Sequence, residues 1–208
     1  MTSGNLLHEI THQWSSYTDF SLGLSGSGRH YSHFAGVPSA LGARELVDLG
    51  DGNYSISCPA ELDQAAELDK YMAGFIAAEE LNPINLVLSS DGSIWSRCTE
   101  VTNRLAEPVT IEDIQEAHGV REPGHLLSRK EFNIGFAVET HNRLLTNTEF
   151  TYFSILANHA THDFVDKPPT HMIAAKNWAS IDKFFGVNSS WSSDAFPETI
   201  FIDGFDSY

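Results

Sequence analysis

The chain has 208 residues, the size of one ordinary domain, or of one domain with a small appendage. It is 41% hydrophobic and 11% aromatic, enough for a buried core and unlike a low-complexity or collagen-like sequence. With 28 acidic and 12 basic residues its formal net charge is −16, which argues against nucleic acid as a partner and against anionic membrane surfaces.

Read from its start, the chain first offers "TSGN", a set of N-cap residues for a helix beginning near Leu6. At roughly 100° per residue, Leu6, Ile10, Trp14 and Tyr17 gather on one arc, and His8 and His12 fall on the opposite one. "SLGLSGSG" at 21–28 reads as a Gly/Ser loop, followed by "RHYSHF" at 29–34. "ELVDLGDGNYSIS" alternates around Gly50-Asp51-Gly52 and predicts a hairpin. Residues 61–80 are rich in helix formers, with Gly74 as an end or break. "INLVLSSDGSIWSRCTEV" predicts a second hairpin turning at Asp91-Gly92. "PVTIEDIQEAHG" predicts a short helix between a Thr110 cap and Gly119. "EFNIGFAVET" reads as a strand and "TNTEFTYFSILANHATHDFV" as an amphipathic helix. After Gly186 the chain turns polar and aromatic. The expected organisation is a catalytic region at 1–186 and, at 187–208, a tail or the start of a following module.

No apolar run approaches the ~20 residues of a membrane helix, so no membrane span is expected. The few residues before His8 lack a basic n-region, so no export signal is read from the chain as it stands. Cys58 and Cys98 are its only cysteines; they form one disulfide or remain two buried thiols.

The chemistry concentrates in "HEITH", residues 8–12. Histidines at i and i+4 project from one helix face about a turn apart and can share a Zn²⁺ ion. Glu9 reaches the same side, where it can take a proton from a water whose pKa zinc lowers toward ~7. A third ligand must come from elsewhere. The metzincin spacing would put a histidine at Thr18 and a glycine at Ser15, so that pattern fails, and Asp19 is one residue out of register. A gluzincin-type glutamate has candidates in Glu61, Glu67, Glu79 and Glu80, with none preferred. His30 and His33 follow the glycine-rich loop and are better placed to curl back to the helix; His30 is preferred.

"HEITHQW", "GRHYSHF", "LVDLGDGNYS", "LDKYMAGF" and "VTIEDIQEAHGVREP" together resemble a family of bacterial exported zinc metallopeptidases that read HE-x-x-H-Q-W, then His-Trp, then L-D-x-Y-x-x-G. The resemblance spans about residues 6–185. It implies an α+β, zincin-like fold, zinc held by His8, His12 and His30, Glu9 as general base, and secretion from the cell. The chain departs from the pattern at Tyr31, where the family has Trp, and at Ala73, where it tends to have Met; Met72 is the alternative floor under the metal. Tyr71 is either an oxyanion-stabilising tyrosine or a packing one. Zincins carry a sheet before the active helix, so the resemblance also implies that an N-terminal part of the domain is missing here.

"NHATHDF" places His159 and His162 at i and i+3 without an intervening carboxylate and reads as helix surface. "DLGDGN" and "SSDGS" fail the EF-hand pattern and read as tight turns. The expectation is a zinc metalloendopeptidase acting on protein or peptide substrates. The alternative is a non-catalytic secreted module that binds glycan or protein through Trp95, Trp178 and Trp191, with HEITH coincidental or a relic.

Overall fold

The computed structural model describes residues 3–15, 20–26, 29–57, 64–88, 100–102, 105, 107–141, 143–161 and 180–190. The architecture is mixed α+β: short helices, a three-stranded antiparallel sheet and a separate two-stranded parallel pair.

The first helix, α1, runs Ser3–Thr11. Its chain continues through a turn in which the His12 amide still donates to the His8 carbonyl (3.2 Å) and the Ser15 amide to the Thr11 carbonyl (3.0 Å). Of the apolar arc expected from the sequence, Ile10 and Trp14 pack toward the core beside buried Leu7, while the Leu6 side chain and Tyr17 lie outside the described residues. Thr11 is buried without loss because its hydroxyl donates back to the Leu7 carbonyl at 2.7 Å.

The strands β1 (Leu46–Gly50) and β2 (Asn53–Ile56) form the first expected hairpin, with Leu46 opposite Ile56 and Val47 opposite Ser55. Gly50, Asp51 and Gly52 all take positive φ (86°, 53° and 76°), which two glycines and an aspartate tolerate. The second expected hairpin is different. β3 (Glu100–Thr102) pairs with β2, while 84–87 bridges singly to Ala35, Leu105 and Val109. Its turn at 91–92 lies outside the described residues. Alternation along 84–102 signalled extended chain but did not choose the partner.

α2 is shorter than the helix-forming run suggested, Glu67–Ala73, and closes on Gly74 at φ 80°. Gly74 is the end or break expected from the sequence, and a tertiary contact reinforces it. Arg121 donates to the Met72 and Ala73 carbonyls at 2.9 Å each, taking up groups that a longer helix would use itself. Its guanidinium also bonds the Pro123 carbonyl and the Ser128 hydroxyl. α3 (Ile111–His118) has its expected boundaries: Thr110 and Asp113 form a reciprocal capping box, and the chain leaves at Gly119. The strand expected at 131–140 is ordered as β-structure only at β4 (Glu131–Asn133). α4 spans Asn147–Thr161.

α5 (Ile181–Phe185), at the end of the expected catalytic region, buries Ile181, Phe184 and Phe185; the segment expected as a tail begins with buried Val187 and with β5 (Asn188–Ser190), which pairs in parallel with β4. Two main apolar clusters result. One gathers Leu24, Tyr31, Leu41, Leu68, Tyr71, Ile84 and Ile114. The other joins α1 to Phe75, Phe132 and α5. Cys58, Cys98, Trp95, Trp178, Trp191 and His162 lie outside the described residues, as does the side chain of His159. No helix among the described residues is long and apolar enough to cross a membrane.

Candidate metal centre

His8 sits one turn before the end of α1, and His12 lies just past that end. The second histidine therefore depends on the turn at 12–15 as well as on the helix. His30 arrives from a separate segment. Around it the backbone is closely tied: the Tyr31 amide donates to the Leu41 carbonyl (2.9 Å) and the Ser32 amide to the Leu24 carbonyl (2.9 Å). The Gly26 amide donates to the His30 carbonyl at 2.6 Å, and a Cβ at Gly26 would come within 3.0–3.1 Å of the Tyr31 and His30 carbonyl oxygens. Fully buried Tyr31 anchors this segment beside His30.

The three imidazoles converge. His8 Nε2 lies 3.2 Å from His12 Nε2 and 3.0 Å from His30 Nε2. One nitrogen from each ring falls within 4.8 Å of the other two, and this is the one such group of three metal-binding side chains found among the described residues. A tetrahedral ion with Zn–N bonds of ~2.0–2.1 Å sets its ligand nitrogens roughly 3.3–3.4 Å apart, close to these separations.

The tautomer of His8 follows from its other nitrogen. Nδ1 lies 2.8 Å from the Ala40 carbonyl oxygen, which can only accept, so Nδ1 carries a proton and donates it. In the neutral ring Nε2 is then a bare lone pair. A single lone pair cannot satisfy two imidazole N–H donors at 3.0 and 3.2 Å, whereas a cation amid the three nitrogens takes a lone pair from each. The arrangement Nε2-to-centre, Nδ1-to-carbonyl is the one metal-ligating histidines adopt. Burial first, then the His8 and His30 rings, hold the His12 imidazole below its ordinary pKa; Glu9 opposes this and Arg29 adds to it. That direction favours the neutral, ligating form. The donor set fits a divalent transition-metal ion, zinc among others.

Ala40 is presented by a tight turn. The Ser39 hydroxyl accepts from the Leu41 amide at 3.0 Å, and the Gly42 amide donates to the Ser39 carbonyl at 3.2 Å. Gly42 has φ 112°, and a Cβ there would sit 3.3 Å from the Tyr31 carbonyl oxygen.

The other candidates are accounted for differently. Glu9 is solvent-exposed on α1 and electrostatically coupled to His12. His33 points elsewhere, with the Arg44 guanidinium 3.5 Å from its Nε2. Glu67 binds the side chain and amide of Asn82 at 3.0–3.1 Å. Glu80 accepts from the Ala77 amide, and Glu79 is exposed. Glu61, Thr18 and Asp19 lie outside the described residues. Tyr71 is buried in the first apolar cluster with Met72 partly buried against it, which is the packing alternative for that tyrosine.

Sequence reasoning gave no role to Asp69, although it stands in the quoted "LDKYMAGF" stretch. It is fully buried on α2, and burial pushes its carboxyl up to about 6 against the opposing influence of the Ser39 and Ser15 hydroxyls and the Ala66 backbone. Those groups act on it, yet neither carboxyl oxygen makes a hydrogen bond of normal geometry. The signal was present in the helical neighbours of Asp69: Ala65, Ala66, Met72 and Ala73, at i−4, i−3, i+3 and i+4, are all apolar.

Comparison of the chain with protein-family models, with curated proteins and with solved structures finds no match.

Proposed function

We propose that this chain is a zinc-dependent metalloendopeptidase with a zincin-like catalytic region, acting on protein or peptide substrates. The observation that carries the proposal is the meeting of His8, His12 and His30 nitrogens, with His8 turned to that meeting point by its Nδ1–H bond to Ala40. Two of these histidines are local in sequence, but the third comes from 18 residues beyond His12, so their convergence exceeds what a chance five-residue motif provides. Zinc bound there would supply a Lewis acid that polarises a peptide carbonyl and acidifies water. Glu9, exposed on the same helix, then serves as general base: its carboxylate takes the proton of the attacking water and returns it to the leaving amide nitrogen. The motif resemblance adds export from the cell to this reading.

The test is zinc stoichiometry on the purified chain, followed by peptide hydrolysis. One zinc per chain, lost in His30→Ala and kept in Glu9→Gln, supports the assignment. A wild-type chain with no stoichiometric zinc favours the binding-module alternative.

A further inference from the structure

The buried carboxyl of Asp69 has no part in the metal centre or in the general-base chemistry. A side chain that could ionise is nevertheless kept on α2 among alanines and Met72, where an apolar residue would avoid the cost of desolvation. Its polar surroundings come from two segments. Ser15 is fully buried in the turn that follows His12, and its hydroxyl has no hydrogen bond of its own. Ser39 is buried immediately before Ala40, and its hydroxyl already accepts from the Leu41 amide, so its own proton remains to be given. Both hydroxyls act on the Asp69 carboxyl, and Ser15 Oγ and the two Asp69 oxygens are left buried together without a hydrogen bond of normal geometry.

These two segments are the ones on which ligand geometry depends. The Ser15 turn fixes the end of α1 that carries His12, and the Ser39 turn presents the carbonyl that orients His8. We propose that Asp69 is a positioning residue for the histidine centre: from α2 it draws the Ser15 and Ser39 hydroxyls together and so holds the His12 turn and the His8-orienting carbonyl at their mutual distance. This rests on the metal-centre reading above. Asp69 touches no ligand; it acts through the two serines. The burial that makes its charge costly is then the condition of its function, since a buried acceptor has only those donors to choose from.

The experiment measures zinc affinity of the full chain by chelator competition and the absorption spectrum of the cobalt-substituted chain. It compares wild type, Asp69→Asn, Ser39→Ala and the double variant, and takes the metal-free thermal midpoint of each. Outer-shell partners of metal ligands typically carry 10–100-fold in affinity. Asp69→Asn is expected to weaken zinc by about that factor and to shift the cobalt bands, while the metal-free midpoint at pH 7 is not lowered, because an amide has no charge to desolvate. Ser39→Ala should weaken zinc comparably, and the double variant should add little to either. Wild-type affinity and an unshifted cobalt spectrum in Asp69→Asn would overturn the inference. So would a zinc loss that merely tracks a lowered metal-free midpoint. Where Asp69→Asn does not fold, Ser39→Ala decides, and unchanged affinity there overturns the inference. A wild-type chain that binds no zinc fails the metal reading itself, and the inference falls with it.

Discussion

The two faces of α1 are held by opposite means. On one, Leu7, Ile10 and Trp14 meet a cluster of aromatic rings: Trp14 lies 5.5 Å from Phe75, 5.6 Å from Phe185 and 6.0 Å from Phe132, centroid to centroid. The angles are inclined or edge-on, so no single contact fixes the helix and the ring cluster can adjust. On the other face, His8 and His12 meet one carbonyl and one histidine at hydrogen-bond separations. The apolar face supplies stability and tolerates rearrangement. The polar face supplies little stability and depends on positions within a few tenths of an ångström. Substitutions on the two faces should therefore separate folding from function.

The largest effect is expected from the polar face. Glu9→Gln should retain zinc and lose ~10²–10⁴-fold in peptide turnover, the usual contribution of a positioned general base; undiminished hydrolysis would remove Glu9 from the mechanism. Next, His30→Ala should lower zinc affinity by more than the ~100-fold that loss of an outer-shell partner brings, while His33→Ala, directed toward Arg44, should leave it nearly intact. Equilibrium dialysis of both variants reads this directly, and the reverse order would reassign the third ligand.

The apolar face should show the complementary behaviour. Trp14→Ala removes a half-buried ring from the aromatic cluster and should cost about 2–4 kcal/mol in denaturant unfolding, with Trp14→Phe recovering most of it. Zinc stoichiometry in the Phe variant should remain one per chain. If Trp14→Phe strips the metal, the two faces are not separable.

A pH effect of similar size belongs to Asp69. Its folded-state pKa of about 6 lies above its ordinary 3.8, so between those values the folded chain binds more protons than the unfolded one. The stabilising contribution is therefore complete at low pH and is lost as pH rises through this window, by at most about 3 kcal/mol at ~1.36 kcal/mol per unit. Ser15, Ser39 and the Ala66 backbone are the groups acting on it. Stability of the metal-free chain measured from pH 4 to 7 should show this loss, and Asp69→Asn should remove it. The smallest effect is expected far from α1: Thr110→Ala, losing the α3 capping box, should cost ~1 kcal/mol and leave zinc binding unchanged.

What was legible in the sequence was local. The α1 arcs, the β1–β2 hairpin and the capped α3 follow from spacing and turn chemistry within about a dozen residues. The His8–His12 pair follows for the same reason. His30 stood out only by its place after a glycine-rich loop and by resemblance, because its approach to His8 on α1 is a side-chain contact across 22 residues of sequence. The partner of β3 and the burial of α5 are tertiary outcomes. α2 ends at Gly74, as the sequence indicated, but the partner of its last carbonyls is Arg121, 49 residues after Met72. Asp69 was hidden because an aspartate next to a leucine in a helix ordinarily marks the solvent side.

The carbonyl that orients His8 belongs to Ala40, and a backbone group is silent in side-chain genetics. A saturation library screened for metal-dependent activity should find position 40 permissive to small residues, although its oxygen is in direct contact with His8. The intolerance should appear instead at its neighbours: Gly42, whose φ of 112° disfavours other residues, and Leu41, where proline would delete the amide that closes the turn. In such a map the hydrogen-bond partner of His8 would look dispensable, and the constraint would be read two residues away.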